Sequence, residues 1–330
     1  EFSATAGTAG GSLKALFEVR DGDNLENFKG KVTKADSYSL TVENISIDNI
    51  KSLNLPDKDG KITVNNISYS YDSWEAQVDA QGNIKSVTFN LSKDKAIADP
   101  EKTVAEGYLL NAGSAINARG IPYYMTQLNE FVRNFSEMFN QIESKGQNLN
   151  GDTPPTFFEA ITNTAKVYDF SESEAYSKLP DGQTATINSS SNTYYRMTAA
   201  NFSVNKDVMN DVSLFATSTD YVKTDSCDIV DELKKLQSEK TVYRGDKAES
   251  FLETIISNVS VDTEKAETYN KLYSNLEQTI ANQRTSVSGV DEDEEALNLV
   301  KFQYSYNMAS KIISVMNQML DKLINDTGVA

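Results

Sequence analysis

The stretch Leu299–Leu323, LVKFQYSYNMASKIISVMNQMLDKL, carries the strongest periodic signal in the chain. Leu299, Phe302, Tyr306, Ala309, Ile313, Met316, Leu320 and Leu323 step alternately three and four residues apart, without a polar interruption. At 3.6 residues per turn that spacing lines one face of a helix, and a repeat of seven is the signature of a helix that packs on another. The spacing predicts a helix from just after Ser288-Gly289 to about Ile324. No other segment offers an equally long, unclaimed stripe to cover it. An exposed apolar stripe promotes association, so its expected partner is another chain or a helix ahead of Glu1.

Upstream, residues from about Ala248 to Val287 also read as helix, with a local break or cap expected at Asp262. Beyond it Ala266, Tyr269, Tyr273, Leu276 and Ile280 repeat with the same seven-residue period. A third helix is expected from Ile121, with Pro122 in the first turn, where its missing N–H costs nothing. Tyr124, Leu128, Phe131, Phe135 and Phe139 run along it to an end near Lys145-Gly146. These five and Tyr269, Tyr273, Leu276 and Ile280 are the expected packing residues of a helical rod. A short helix over 12–20 closes at Asp21-Gly22.

Between the helices the period changes to two. Ile67–Tyr71, Trp74–Val78 and Val87–Leu91 alternate apolar and polar side chains, as half-buried strands do. Asp59-Gly60 and Gly82-Asn83 supply turn residues, and Trp74 reads as a core residue. Residues 148–245 are rich in Asn, Ser, Thr and Asp; strand-like pieces run from Val204 to Val208 and Val212 to Phe215, with a short helix over Ile229–Leu236. The expected fold is therefore α+β and multidomain, a helical rod or bundle built from discontinuous segments with β-rich domains inserted. The expected divisions are 1–23 (rod), 24–106 (small β domain), 107–147 (rod helix), 148–247 (β-rich, irregular), 248–289 (rod helix) and 290–330 (terminal heptad helix).

The composition narrows the chemistry. The 330 residues hold one cysteine, Cys227, and no histidine. That removes an internal disulfide framework, multi-cysteine zinc sites, and the commonest general base and transition-metal ligand. A net charge of −17 and a pI near 4.5 disfavour nucleic acid and anionic membrane surfaces. No apolar run reaches the length of a membrane helix. Asp291–Glu295 could suit calcium, but acidic residues opening a helix are more simply explained by its positive dipole end. Asp57-Lys-Asp59-Gly60 lacks the later ligands of a calcium loop and reads as a hairpin turn. Gly7–Gly11 lacks the Lys and the preceding strand of a phosphate loop. Cys227, with only Lys223 as a basic neighbour, reads as an inert thiol. No catalytic, cofactor or metal residues are assigned, and the chain reads as a non-enzyme.

Ser286–Glu295 (SVSGVDEDEE), followed by Ala296–Tyr304 (ALNLVKFQY) with Phe302-Gln303 inside, resembles the C-terminal signature of the flagellar rod, hook and hook-associated proteins. Gly10–Lys14, Glu18–Gly22, Gly120–Tyr124 and Asn201–Asn205 are similar to hook-associated members. The resemblance implies a helical rod made from both chain ends. It also implies a long N-terminal helix that pairs with the C-terminal one, which this sequence does not show. It implies a structural subunit that joins hook to filament by self-assembly, exported through the flagellar secretion apparatus to the cell exterior without a cleavable signal. Its implied partners are copies of itself, the hook protein, a further hook-associated protein, flagellin and a secretion chaperone, with no nucleic acid and no membrane. A hook protein, a flagellin-like protein or a secreted adhesin are the alternatives.

Overall fold

A computed structural model describes residues 10–326, apart from 58, 94–95, 98–99, 101–103, 105, 223–225 and 241–242. Residues 7–9 of the Gly7–Gly11 stretch and Lys223 thus lie outside the described residues. The chain is α+β and multidomain, and divides into one compact unit over Glu1–Ser257 and a second over Asn258–Ala330.

The first unit opens with α1, Ser12–Asp21. Six strands follow: β1, Phe28–Asp36; β2, Ser39–Glu43; β3, Gly60–Val64; β4, Ile67–Val78; β5, Ile84–Leu91; and β6, Leu109–Ala112. They pair antiparallel in the order β3-β6-β1-β2-β5-β4, and β4 returns to β3, closing a barrel with no free edge among these six. Trp74, Tyr71, Phe89, Leu40, Ile62 and Leu110 fill its core. The two runs Ile67–Tyr71 and Trp74–Val78 form one strand rather than two. A bulge between Tyr71 and Ser73 shifts the phase, so Tyr69 and Tyr71 face inward before it and Trp74, Ala76 and Val78 after it.

The strand set extends beyond residues 24–106. The barrel takes β6 from 109–112, and a later strand, named β8 below, joins the outer half of β4. Asp59 and Gly60 do not sit in a hairpin turn (Lys58 of that run lies outside the described residues): strands β2 and β3 do not pair, and Gly60 opens β3. The tight β3–β4 turn is Asn65-Asn66, with φ of 50° and 61°, the backbone a two-residue hairpin requires. At the β4–β5 turn, burial would raise the Asp79 carboxyl, but Lys85 and hydrogen bonds from Asn83 and Gln81 bring it down to about 2.

Helix α2, Ile121–Glu143, begins with Pro122 in its first turn and ends one residue before Ser144. Beyond it the chain is irregular. Strand β7, Phe158–Ala160, pairs with β9, Phe202–Val204; between them lie α3, Ser171–Ser177, and β8, Ala185–Asn188. Then come α4, Lys206–Asn210, and α5, Asp228–Ser238. The segments expected as strands over Val204–Val208 and Val212–Phe215 are mostly helical turns. The Asn205 carboxamide accepts from the Asp207 N–H and starts α4; the Asp211 carboxylate accepts from the Ser213 N–H and starts a 3₁₀ turn over Val212–Leu214. Side-chain caps outcompete a weak alternation.

Helix α2 is covered on two sides, and this organises the unit. Its apolar side meets an aromatic cluster: Phe135 and Phe139 lie against Phe158, and Phe131 stacks on Tyr243 and Phe251. Its polar side, Gln127, Asn129, Glu130, Arg133, Glu137, Asn140 and Glu143, is more deeply buried still. Irregular segments have no ladder to satisfy their backbone groups, and these side chains serve instead. The Asn140 carboxamide accepts from the Phe158 N–H at 2.9 Å and donates to the Phe158 carbonyl at 2.8 Å. Asn129 accepts from the Ala199 N–H, and Arg133 donates to the carbonyls of Met197, Lys51 and Leu53.

Glu143 accepts from the Ala216 N–H at 2.6 Å, while its second oxygen is buried without a partner among the described residues. Burial pushes its carboxyl up to about 7, against the one hydrogen bond that favours the anion. The native state therefore holds a proton that the unfolded chain releases nearer pH 4.5. The Glu143 contribution to stability is fully present below that pH and is lost as pH rises to about 7, by up to about 3 kcal/mol. Denaturant melts of Glu143→Gln should lack this slope; an unchanged slope would assign it elsewhere.

Helix α6, Ala248–Ser288, starts in the first unit, where Phe251 and Ile255 pack with Tyr243. It runs unbroken through Asp262. A single Asp inside a helix costs only about 0.5–0.7 kcal/mol, too little to end one. The second unit comprises the rest of α6 and α7, Glu292–Asp326.

Candidate assembly interface

The turn between α6 and α7 is built from its own residues. The Gly289 N–H donates to the Thr285 carbonyl at 2.6 Å, and a Cβ on Gly289 would lie 2.2 Å from that same oxygen, so glycine is required for the chain to leave α6 this tightly. Asp291 then caps α7: its Oδ1 accepts from the N–H groups of Asp293 at 3.0 Å and Glu294 at 3.3 Å. Glu292–Glu295 occupy the first turn, against the positive end of the helix dipole. The acidic run thus starts a helix.

Along α7, Leu299, Phe302, Tyr306, Ala309, Ile313, Met316, Leu320 and Leu323 are all exposed, Phe302 at 74 % and Ile313 at 59 %. A second stripe, not drawn out by the heptad reading, lies beside the first: Leu297, Tyr304, Met308, Ile312, Val315 and Met319, also exposed. At 100° per residue the two stripes together cover roughly 200° of the circumference. Gln303, Ser310, Ser314, Asn317 and Asp321 occupy the polar remainder. The second stripe is present in the spacing but hidden by a heptad template, which scores one face.

The rod-packing residues fall into two groups. Tyr124, Leu128, Phe131 and Phe135 are half-buried, packed with Tyr243, Ala248, Phe251 and Ile255, and Phe139 lies in the aromatic cluster. Tyr269, Tyr273, Leu276 and Ile280 are exposed, as is Leu272 beside them, with the Tyr269 and Tyr273 rings 6.4 Å apart. Two of the motifs meet in space: the Gly22 carbonyl accepts from the N–H groups of Gly120 and Tyr123. Trp74 is fully buried in the barrel core, and Cys227 is exposed next to the start of α5. Among the described residues no three His, Cys, Asp or Glu side chains gather as a metal site, and no helix is long and apolar enough to cross a membrane.

Residues 281–326, which span the Gly289 turn and α7, match the family described as "Flagellar basal body rod FlgEFG protein C-terminal". The chain is also similar to the flagellar hook-associated protein 1 of Bacillus subtilis (strain 168), at 24 % identity over 215 residues, or 63 % of this chain. That alignment spans 36 % of the relative's length. No solved structure matches the chain. Both matches lead to the same family: this chain resembles the flagellar axial proteins, the hook-associated ones among them.

Proposed function

We propose that the chain is a structural, non-catalytic subunit of the bacterial flagellum that joins hook to filament and assembles through α7. The observation that carries this reading is the exposed apolar surface of that helix. Covering a Leu, Ile, Phe or Met side chain contributes about 1.5–3 kcal/mol. Leu299, Phe302, Ile313, Met316 and Leu320 together would contribute roughly 8–15 kcal/mol, comparable with the roughly 4–15 kcal/mol that association costs. One stripe alone therefore makes a marginal pair. Covering the second stripe as well leaves a clear surplus, which favours an array in which each α7 touches at least two neighbours.

Head-to-tail contacts of that kind close into rings or propagate as helical zones. The partners in this reading are copies of the chain, the hook protein, a further hook-associated protein, flagellin and a secretion chaperone. The site of action is the outside of the cell, reached through the flagellar secretion apparatus. The name of the Bacillus relative supports an association with the hook, and the rod-family match supports the wider axial class, in which a hook protein or flagellin is the alternative.

Complementation of a strain lacking this gene tests both. Electron microscopy should show hooks without filaments in the deletion, filaments restored by the parent gene, and bare hooks again with Ile313→Asp. The purified variant should unfold at the parent temperature, because Ile313 is exposed in the monomer. Full motility with Ile313→Asp would reject assembly through α7, and absent hooks in the deletion would move the chain to an earlier position in the axis.

A further inference from the structure

A cleft of about 570 Å³ lies in the first unit, between the polar side of α2, the Pro154–Thr156 loop, β7 and the start of α3. Four carboxylates line it, Glu137, Glu159, Asp169 and Glu174, and among the described residues no lysine or arginine does. Three of the four have a partner of their own. Glu137 pairs with Lys51 at 2.6 Å, Asp169 accepts from the N–H and Oγ of Ser171, and Glu174 pairs with Lys178 at 3.4 Å.

Glu159 differs. It is the middle residue of the three-residue β7 and is only 6 % exposed, yet its carboxylate accepts no hydrogen bond and makes no ion pair among the described residues. Burial raises its proton affinity and nearby Asp207 adds to this, while Lys206 opposes them. An unpaired carboxylate on a residue this buried meets little water, all of it from the cleft it lines, and such a group calls for an explanation. Its sign selects a cation, and its free lone pairs select a hydrogen-bond donor. Among the described residues no three acidic side chains gather closely enough to chelate a metal ion. The remaining walls include Pro155, Val167 and Phe170, which are apolar. An ammonium on a hydrocarbon stem matches both halves, as lysine-like stems lie along apolar surface with the charge at the tip.

We propose that this cleft binds an alkylammonium group, with the methylene stem against Pro155, Val167 and Phe170 and the nitrogen donating to Glu159. The site is independent of the α7 surface and of the assembly reading. A lysine side chain and a free polyamine share this chemistry, and the test separates them.

Titration calorimetry of the whole chain with n-butylammonium chloride, spermidine and a capped Gly-Lys-Gly peptide should give saturable binding. Affinity should fall at least tenfold in Glu159→Gln and stay unchanged in Glu143→Gln, a buried carboxyl outside the cleft. Tighter binding of the peptide assigns a protein lysine, and tighter binding of spermidine a free polyamine. Chemical-shift changes in the unsubstituted protein should centre on Glu159 and Val167, which tests the same site should the variant fail to fold. No saturation with any probe, equal affinity in folded Glu159→Gln, or shifts centred elsewhere would overturn the proposal. So would calcium binding that excludes the amines.

Discussion

Arg133→Ala is expected to lower the stability of the first unit by about 3–5 kcal/mol, read as a fall in the denaturant midpoint without change in slope. Arg133 is 2 % exposed and donates to three main-chain carbonyls, of Met197 at 2.9 Å, Lys51 at 2.9 Å and Leu53 at 2.6 Å. Its guanidinium also lies 4.5 Å from the centre of the Tyr195 ring. Burial pulls its pKa down to about 10, with Tyr195 and Glu130 opposing, so it stays charged at neutral pH. Truncation leaves two buried acceptors and the part-buried Lys51 carbonyl without donors, at about 1–3 kcal/mol for each buried one when unrelieved, and opens a cavity among them.

Arg133→Met separates the two effects, since it restores most of the volume and none of the donors. Arg133→Met should recover less than half of the loss. Recovery to the parent midpoint would show that Arg133 acts by filling space. Arg133 ties the 49–56 connection of the barrel to the 193–201 loop, so the loss should appear in both regions by hydrogen exchange.

Gly120→Ala is expected to cost about 2–3 kcal/mol and to release α1. A Cβ at position 120 would lie 2.3 Å from the Glu18 carbonyl oxygen and 2.6 Å from that of Val19. Both are main-chain atoms of a helix and cannot rotate away. The reciprocal contact is as tight: a Cβ on Gly22 would lie 2.6 Å from the Ala118 carbonyl oxygen and 2.9 Å from the Gly120 nitrogen. At this crossing the Gly120 and Tyr123 N–H groups donate to the Gly22 carbonyl at 3.0 and 3.3 Å. These are orphan donors at the start of α2, and the end of α1 satisfies them. In Gly120→Ala the amides of α1 and of Tyr123 should lose exchange protection while those of the barrel keep theirs. Gly10→Ala, with nothing within 4 Å of its Cβ, serves as the control and should be neutral. Protected α1 amides in Gly120→Ala would mean that the crossing opens without cost.

Those two sites mark the limit of what local reading reaches. Gly22 was legible as a helix stop, and Pro122, two residues after Gly120, as a helix start. That Gly22 and Gly120 touch each other was not, because nothing in either neighbourhood encodes a partner 98 positions away. Arg133 was invisible for a different reason. On a helix whose apolar stripe is obvious, periodicity assigns the polar side to water, and here that side is the more buried of the two. The irregular segments across from it need donors and acceptors, and hydropathy does not register that need.

By itself the sequence determined the α+β class, the two closing helices to within a few residues at their ends (though not that the first runs on through Asp262), the strand alternation around Trp74, and the apolar seam from Leu299 to Leu323. Each follows from a period of 3.6 or 2 within a few turns of chain. Only the tertiary structure decided that six strands close into a barrel, that a strand from 185–188 joins it, and that α2 is buried through its polar side. It also decided which carboxylates lie paired and which, like Glu159, lie bare. Periodicity is a property of neighbours along the chain, whereas closure and satisfaction of buried polar groups depend on segments that meet only after folding.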